Sequence, residues 1–145
     1  MVDKEFVHRK ISLIEEELMR LIEFENLTLD QMAQDYKSQA IVERILERVI
    51  TRAIDINQHL IAELGGTLRT IRSYRETFLR LADLGVYSKD FAQKVAPCAG
   101  LRNVLVHDYN NIDQELVHKS IQSAIQDFNE YAKYILSFIS SEPLR

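Results

Sequence analysis

Apolar residues return every three or four positions along almost the whole chain, and that rhythm dictates what it can fold into. Val7, Ile11, Ile14, Leu18 and Leu21 step by 4, 3, 4 and 3. Val42, Ile45, Val49, Ala53, Ile56, Leu60 and Leu64 repeat the pattern, as do Val117, Ile121, Ala124, Phe128, Tyr131, Ile135 and Phe138. A helix of 3.6 residues per turn puts each set on one stripe, which leaves water only when another element covers it. Nothing alternates convincingly with the period of two that a half-buried strand requires. The chain is therefore predicted to be all-α.

With 4 Gly and 2 Pro in 145 residues, breakers are scarce and each marks a boundary. They fall at Asn26 to Thr28, Gly65-Gly66, Gly85 and Asn110-Asn111, while Pro97 sits inside a periodic stretch that it should end or kink. Five helices are predicted at about 3–25, 29–64, 70–84, 88–109 and 113–140, with a candidate break near Lys37 in the second. Ser88 and Asp113 are placed to cap the fourth and fifth. Short connections favour antiparallel neighbours, so the expected architecture is an up-and-down bundle of four to five helices forming a single domain over residues 1–145.

At 46% hydrophobic and 28% charged residues, the chain has ordinary material for one soluble core. Apolar runs such as Ile135 to Ile139, interrupted by Ser137, are too short to span a bilayer. The start, Met1-Val2-Asp3-Lys4-Glu5, carries acids and no apolar stretch of signal-peptide length. A cytoplasmic protein with no membrane partner is expected. Cys98 is the sole cysteine, which rules out an intrachain disulfide or a cysteine metal cluster and suits a small core residue. The net charge of −4 is unevenly spread: −5 over residues 1–65, +4 over 66–102 and −3 over 103–145. The basic middle, with Arg69, Arg72, Arg75, Arg80, Lys89, Lys94 and Arg102, either offers an anion-binding field or pairs with the acidic first third.

The segment Arg102-Asn103-Val104-Leu105-Val106-His107-Asp108-Tyr109 sets polar chemistry into an apolar helical pattern. If residues 88–109 are one helix, Phe91, Val95, Cys98, Arg102, Leu105 and Tyr109 share a stripe, with Tyr109 nearly eclipsing Arg102. Asn103 and His107 form a second line roughly 120–140° around. An arginine on an apolar stripe needs a carboxylate or a phosphate, because burying an unpaired charge is severely unfavourable. Within the chain the candidate is Asp55, beside the core position Ile56; outside it, a nucleic-acid phosphate suits the planar guanidinium fork. Singly, each residue also has an ordinary role: a buried Arg102–Asp55 ion pair, a histidine favoured by the helix C-terminus, and a half-buried core tyrosine. Together they match the needs of metal-independent RNA cleavage, which takes a base, an acid and a cation on the phosphate. One Arg and one His make half of such a site, and a two-fold homodimer would complete it.

The octad, written R-N-x-x-x-H-x-Y, resembles the signature of the HEPN superfamily and, more narrowly, its HepT-like toxin branch, partners of minimal nucleotidyltransferases. Ala53-Ile54-Asp55-Ile56-Asn57-Gln58-His59-Leu60 is similar to the second-helix pattern of that branch. Ser73-Tyr74-Arg75-Glu76-Thr77-Phe78, followed by Leu81 to Gly85, is similar to its third. The resemblance implies a HEPN-like bundle and an endoribonuclease toxin of a type VII-like toxin–antitoxin pair, cutting RNA at a composite cleft between two protomers. It implies catalytic roles for Arg102 and His107 and a supporting role for Asn103, beside the suggested pairing role of Asp55. It makes Tyr109 the acceptor of AMP from the cognate nucleotidyltransferase antitoxin, a modification that adds bulk and negative charge where RNA phosphate would sit. Two alternatives stand beside this one. The first is a non-catalytic binding or assembly subunit of a nucleotidyltransferase complex, with the octad kept for docking; the second is a purely structural bundle dimer.

No H-E-x-x-H, metal-spaced carboxylate pair, P-loop or G-x-S-x-G is present, so neither a metal nor another cofactor is expected. His8, His59 and His118 are scattered and read as surface or satisfied helical positions. The run Glu15-Glu16-Glu17 reads as a solvated face, and Arg69, Arg72 and Arg75, stepping by three, as an RNA-tracking row or a solvated helix start.

Overall fold

The helical rhythm is realised throughout, and short polar side chains decide where most helices begin. A computed structural model of the chain describes residues 1–65 and 70–142; Gly66 and Arg69, singled out above, lie outside them. The described residues form α1 (Lys4–Ile22), α2 (Leu29–Ala33), α3 (Tyr36–Glu63), α4 (Tyr74–Asp83), α5 (Lys89–Val95), α6 (Cys98–His107), a 3-10 turn (Tyr109–Asn111) and α7 (Gln114–Ser141). Asp3, Thr28, Asp35, Ser73, Ser88 and Asp113 each accept a backbone N–H at the start of the helix they precede, satisfying donors with no partner inside the helix.

Two of the five expected helices are broken. The second divides before Lys37, because Asp35 caps α3 while the Gln39 side chain donates to the Met32 and Ala33 carbonyls at the end of α2. The fourth divides at Ala96-Pro97, where proline has no N–H to continue the ladder. The second break has a consequence for the site, since the stripe drawn through residues 91–109 as one helix does not exist.

Polar contacts fix the direction of the long helices. Asp3 donates its amide to His59 Nε2 at 2.9 Å, Lys10 pairs with Asp55 at 3.0 Å and Glu17 meets Arg48 at 3.5 Å, so α1 and α3 are antiparallel. Lys4 reaches the Glu142 carbonyl at 2.7 Å, which sets α1 antiparallel to α7 as well. Thus α3 and α7 run parallel, with Gln114 on Glu43 at 2.9 Å and the Tyr131 hydroxyl 2.6 Å from Asn57 Oδ1. One apolar cluster fills the space between these three helices and continues under α4, α5 and α6. Cys98 packs half-buried at its edge, where burial pushes its thiol well above the usual range.

A polar chain, buried from Tyr131 to Thr77, crosses that core. Tyr131 on α7 donates to Asn57 on α3, Asn57 Nδ2 donates to Thr77 Oγ1 at 3.1 Å, and Thr77 donates to the Tyr74 carbonyl at 2.6 Å. Three helices are thereby tied together through groups that would each be unfavourable to bury alone. Glu17 departs from expectation. Glu15 and Glu16 are exposed, but Glu17 is only 3% exposed and its Oε1 gathers Arg20 at 3.1 Å and Arg48 and Arg52 at 3.5 Å. Its position, three residues after Ile14 and four before Leu21, puts it on the apolar stripe, and three guanidinium groups make the burial tolerable. Among the described residues no helix is long and apolar enough to cross a membrane.

Candidate functional site

Helix α6 is a ten-residue piece held between Pro97 and Asp108, packed on α3 and α4. Its Arg102 is half-buried, and its Nε donates to Thr51 Oγ1 on α3 at 3.2 Å. The guanidinium carbon lies 5.0 Å from the centroid of the Tyr74 ring at the start of α4, a cation–π contact. Asp55 is not its partner. That carboxylate takes Lys10 of α1 at 3.0 Å, because Asp55 sits one turn beyond Thr51 and roughly 40° further around α3, on the side that faces α1. Among the described residues Arg102 has no carboxylate within ion-pair distance, so the two terminal nitrogens of its fork are uncommitted.

His107 is the exposed last residue of α6, and its ring has no hydrogen bond among the described residues. Five positions along a helix place it roughly 140° around from Arg102. The two groups of one chain therefore point to different sides of α6. Tyr109 is a second correction: the helix stops at His107, Asp108 leaves helical geometry at φ −140 and ψ 41, and Tyr109 begins the 3-10 turn. Asn111 fastens that turn by donating its side chain to Asp108 Oδ1 at 2.9 Å. Tyr109 is 67% exposed, so its ring neither packs on the bundle nor eclipses Arg102. Asn103 is exposed and lines a cavity with Gln58, Ile71, Arg72, Ser73 and Tyr74.

Several functional neighbours were missed in the sequence. Thr51 and Tyr74 support Arg102, and only tertiary packing brings them there. Arg44 and Arg48, which precede Thr51 on α3, are taken up by Glu47 at 3.1 Å and Glu17 at 3.5 Å. No ion pair joins the basic middle of the chain to the acidic first third among the described residues; Arg80 turns to Asp83 at 3.8 Å, and Lys94 to Asp127 and Glu130 at 3.3 Å. Of the other histidines, His8 is exposed, His59 stacks on Phe6 and His118 meets the Leu27 carbonyl. No group of three or more His, Cys, Asp or Glu among the described residues is placed to hold a metal ion.

A family model described as Ribonuclease HepT-like matches residues 14–135. The chain belongs to this family. It is 33% identical over 140 residues to the tRNA nuclease HepT of Aphanizomenon flos-aquae, covering 95% of this chain and 92% of that one. It is 29% identical over 105 residues to the mRNA nuclease HepT of Shewanella oneidensis, covering 72% and 77% respectively. Among solved structures, a tri-AMPylated Shewanella oneidensis HEPN toxin in complex with its MNT antitoxin superposes with a TM-score of 0.77 at 27% identity, over 94% of this chain and 99% of that one. A toxin–antitoxin complex with AMP-PNP superposes with a TM-score of 0.79 at 25% identity, over 92% and 98%. The all-helical HEPN-like bundle expected from the periodicity and the octad is therefore the fold of this HepT-like chain.

Proposed function

We propose that the chain is the endoribonuclease toxin of a toxin–antitoxin pair, that it cuts RNA without a metal as a homodimer, and that a cognate nucleotidyltransferase silences it by adenylylating Tyr109. The observation that carries this reading is Arg102, whose guanidinium is held by Thr51 and Tyr74 with its terminal nitrogens unpaired among the described residues. A half-buried cation so placed is prepared for a phosphate. His107 supplies a ring able to take the 2′-hydroxyl proton or to protonate the leaving oxygen. Because Arg102 and His107 diverge on one α6, a two-fold that faces two such helices lets the arginine of one protomer work with the histidine of its partner. The nuclease names of the two relatives and the antitoxin complexes of the structural neighbours support the same reading.

Purified protein is expected to cleave RNA in excess EDTA and to run as a dimer at micromolar concentration by light scattering. Intact RNA would sink the activity, loss of cleavage in EDTA the metal-free chemistry, and an active monomer the composite site.

Tyr109 gives a separate expectation. Its exposed phenol is open to a partner enzyme without unfolding of the bundle. Co-expression with the nucleotidyltransferase should raise the intact mass by whole AMP units, located to Tyr109 by peptide sequencing, and relieve growth arrest. Tyr109→Phe should take up none there and stay toxic beside the partner; a Phe variant neutralised as well as wild type would show inhibition by docking alone.

A further inference from the structure

The cavity beside Arg102 has a composition that RNA backbone contacts do not call for. Its volume of about 370 Å³ lies within the usual range for small-ligand sites. One wall is the Tyr74 ring, 38% exposed, with Ile71 beside it; Gln58 of α3 and Asn103 of α6 bring two carboxamides. Among the described residues neither carboxamide makes a hydrogen bond within the chain, so each retains a free donor and a free acceptor. Ser73 is already engaged, its hydroxyl accepting the Glu76 amide at 3.2 Å as the cap of α4. Arg72 is exposed at the rim, with only its backbone amide engaged, on Glu76 at 3.2 Å.

We propose that this cavity is a nucleobase subsite, holding one base of the RNA next to the phosphate bound by Arg102. An aromatic face, an aliphatic neighbour and paired donor–acceptor groups are what unstacked RNA bases are recognised by. The same Tyr74 ring serves the cavity and the Arg102 guanidinium, and Asn103 follows Arg102 in the chain, so base and phosphate sites adjoin. Stacking on Tyr74 provides affinity for any base, whereas Gln58 and Asn103 read its hydrogen-bonding edge and so choose among bases at a position flanking the cut. Arg72 at the rim suits the neighbouring phosphate. The proposal rests on the endoribonuclease reading of Arg102 and His107, and its test separates the two.

The ends of fragments cut by wild type, Gln58→Leu and Tyr74→Leu are sequenced, and kcat and KM are measured on one short RNA. Wild type should show a base preference at one position beside the cut. Gln58→Leu should weaken that preference on the order of 10-fold. Tyr74→Leu should raise KM on the order of 10-fold by removing both the stack and the ring beneath Arg102, and Tyr74→Phe should restore it. An unchanged cut-site profile in Gln58→Leu together with an unchanged KM in Tyr74→Leu overturns the subsite. If wild type cuts no RNA, the endoribonuclease reading fails, and the cavity is judged by NMR titration with the four ribonucleoside 5′-monophosphates. Shifts of the Gln58 and Asn103 side-chain amides that vanish in Tyr74→Leu uphold the subsite; no shift with any of the four overturns it.

Discussion

Replacing His107 by alanine is expected to slow RNA cleavage by about 10²–10⁴-fold, the usual contribution of a positioned acid or base. The fold should scarcely register the change. His107 is exposed at the last turn of α6, has no hydrogen bond among the described residues and lies outside the apolar cluster. What it gives the native state is its interaction with the helix C-terminus, about 0.3–1 kcal/mol when protonated. That corresponds to a fall in Tm of at most roughly 4 °C for a chain of this size. A cleavage time course and a thermal melt on the same preparation check both halves. Cleavage at the wild-type rate would remove His107 from the chemistry, and a collapse in Tm would make it a packing residue.

Tyr131→Ala is expected to be the most damaging of the changes considered, lowering stability by about 3–5 kcal/mol. The side chain is fully buried, sits edge-on to Phe78 at 6.1 Å and Phe128 at 5.8 Å between centroids, and donates to Asn57 at 2.6 Å. Alanine leaves a cavity among those rings and also deprives buried Asn57 Oδ1 of its donor, which adds to the transfer loss. The expected fall in Tm is roughly 10–20 °C. Tyr131→Phe separates the two contributions, because it keeps the ring and strands the carboxamide oxygen, for about 1–3 kcal/mol. Urea titrations of both variants measure the difference, and a loss below 1 kcal/mol for Tyr131→Ala would contradict the packing described.

The residues that set the bundle were readable from spacing alone, since position on a 3.6-residue stripe decides burial before any partner is known. Val7, Ile11, Ile14, Leu18 and Leu21 are all buried as the stripe requires, and Gly65 and Gly85 take positive φ of 87 and 83 where the chain turns. Pro97 carried its own warning, and projecting residues 88–109 as one helix ignored it. Glu17 was misread as part of a solvated run although its spacing from Ile14 and Leu21 puts it beside the same stripe, and its three arginines come from two helices and leave no joint pattern in the sequence. The Arg102 neighbourhood was out of reach for a related reason. Periodicity places Asp55 near the right face of α3, yet a rotation of about 40° decides whether Arg102 meets Asp55 or Thr51, and only the packing of α1 against α3 fixes it. A helix end without glycine or proline, such as Asp108, also gave no signal that Tyr109 leaves the helix.

The placement of Tyr109 in a fastened 3-10 turn, with its ring exposed, bears on what the proposed adenylylation would do to the fold. An AMP group carried there would have no core of its own chain to repack and no helix to fray, so it would leave the unfolding of the protomer itself nearly unchanged. Proteases and chaperones, which sense opened protein, would treat both forms alike. The two populations would then differ in what they do and not in how long they last, and the ratio between them would follow the writing enzyme alone.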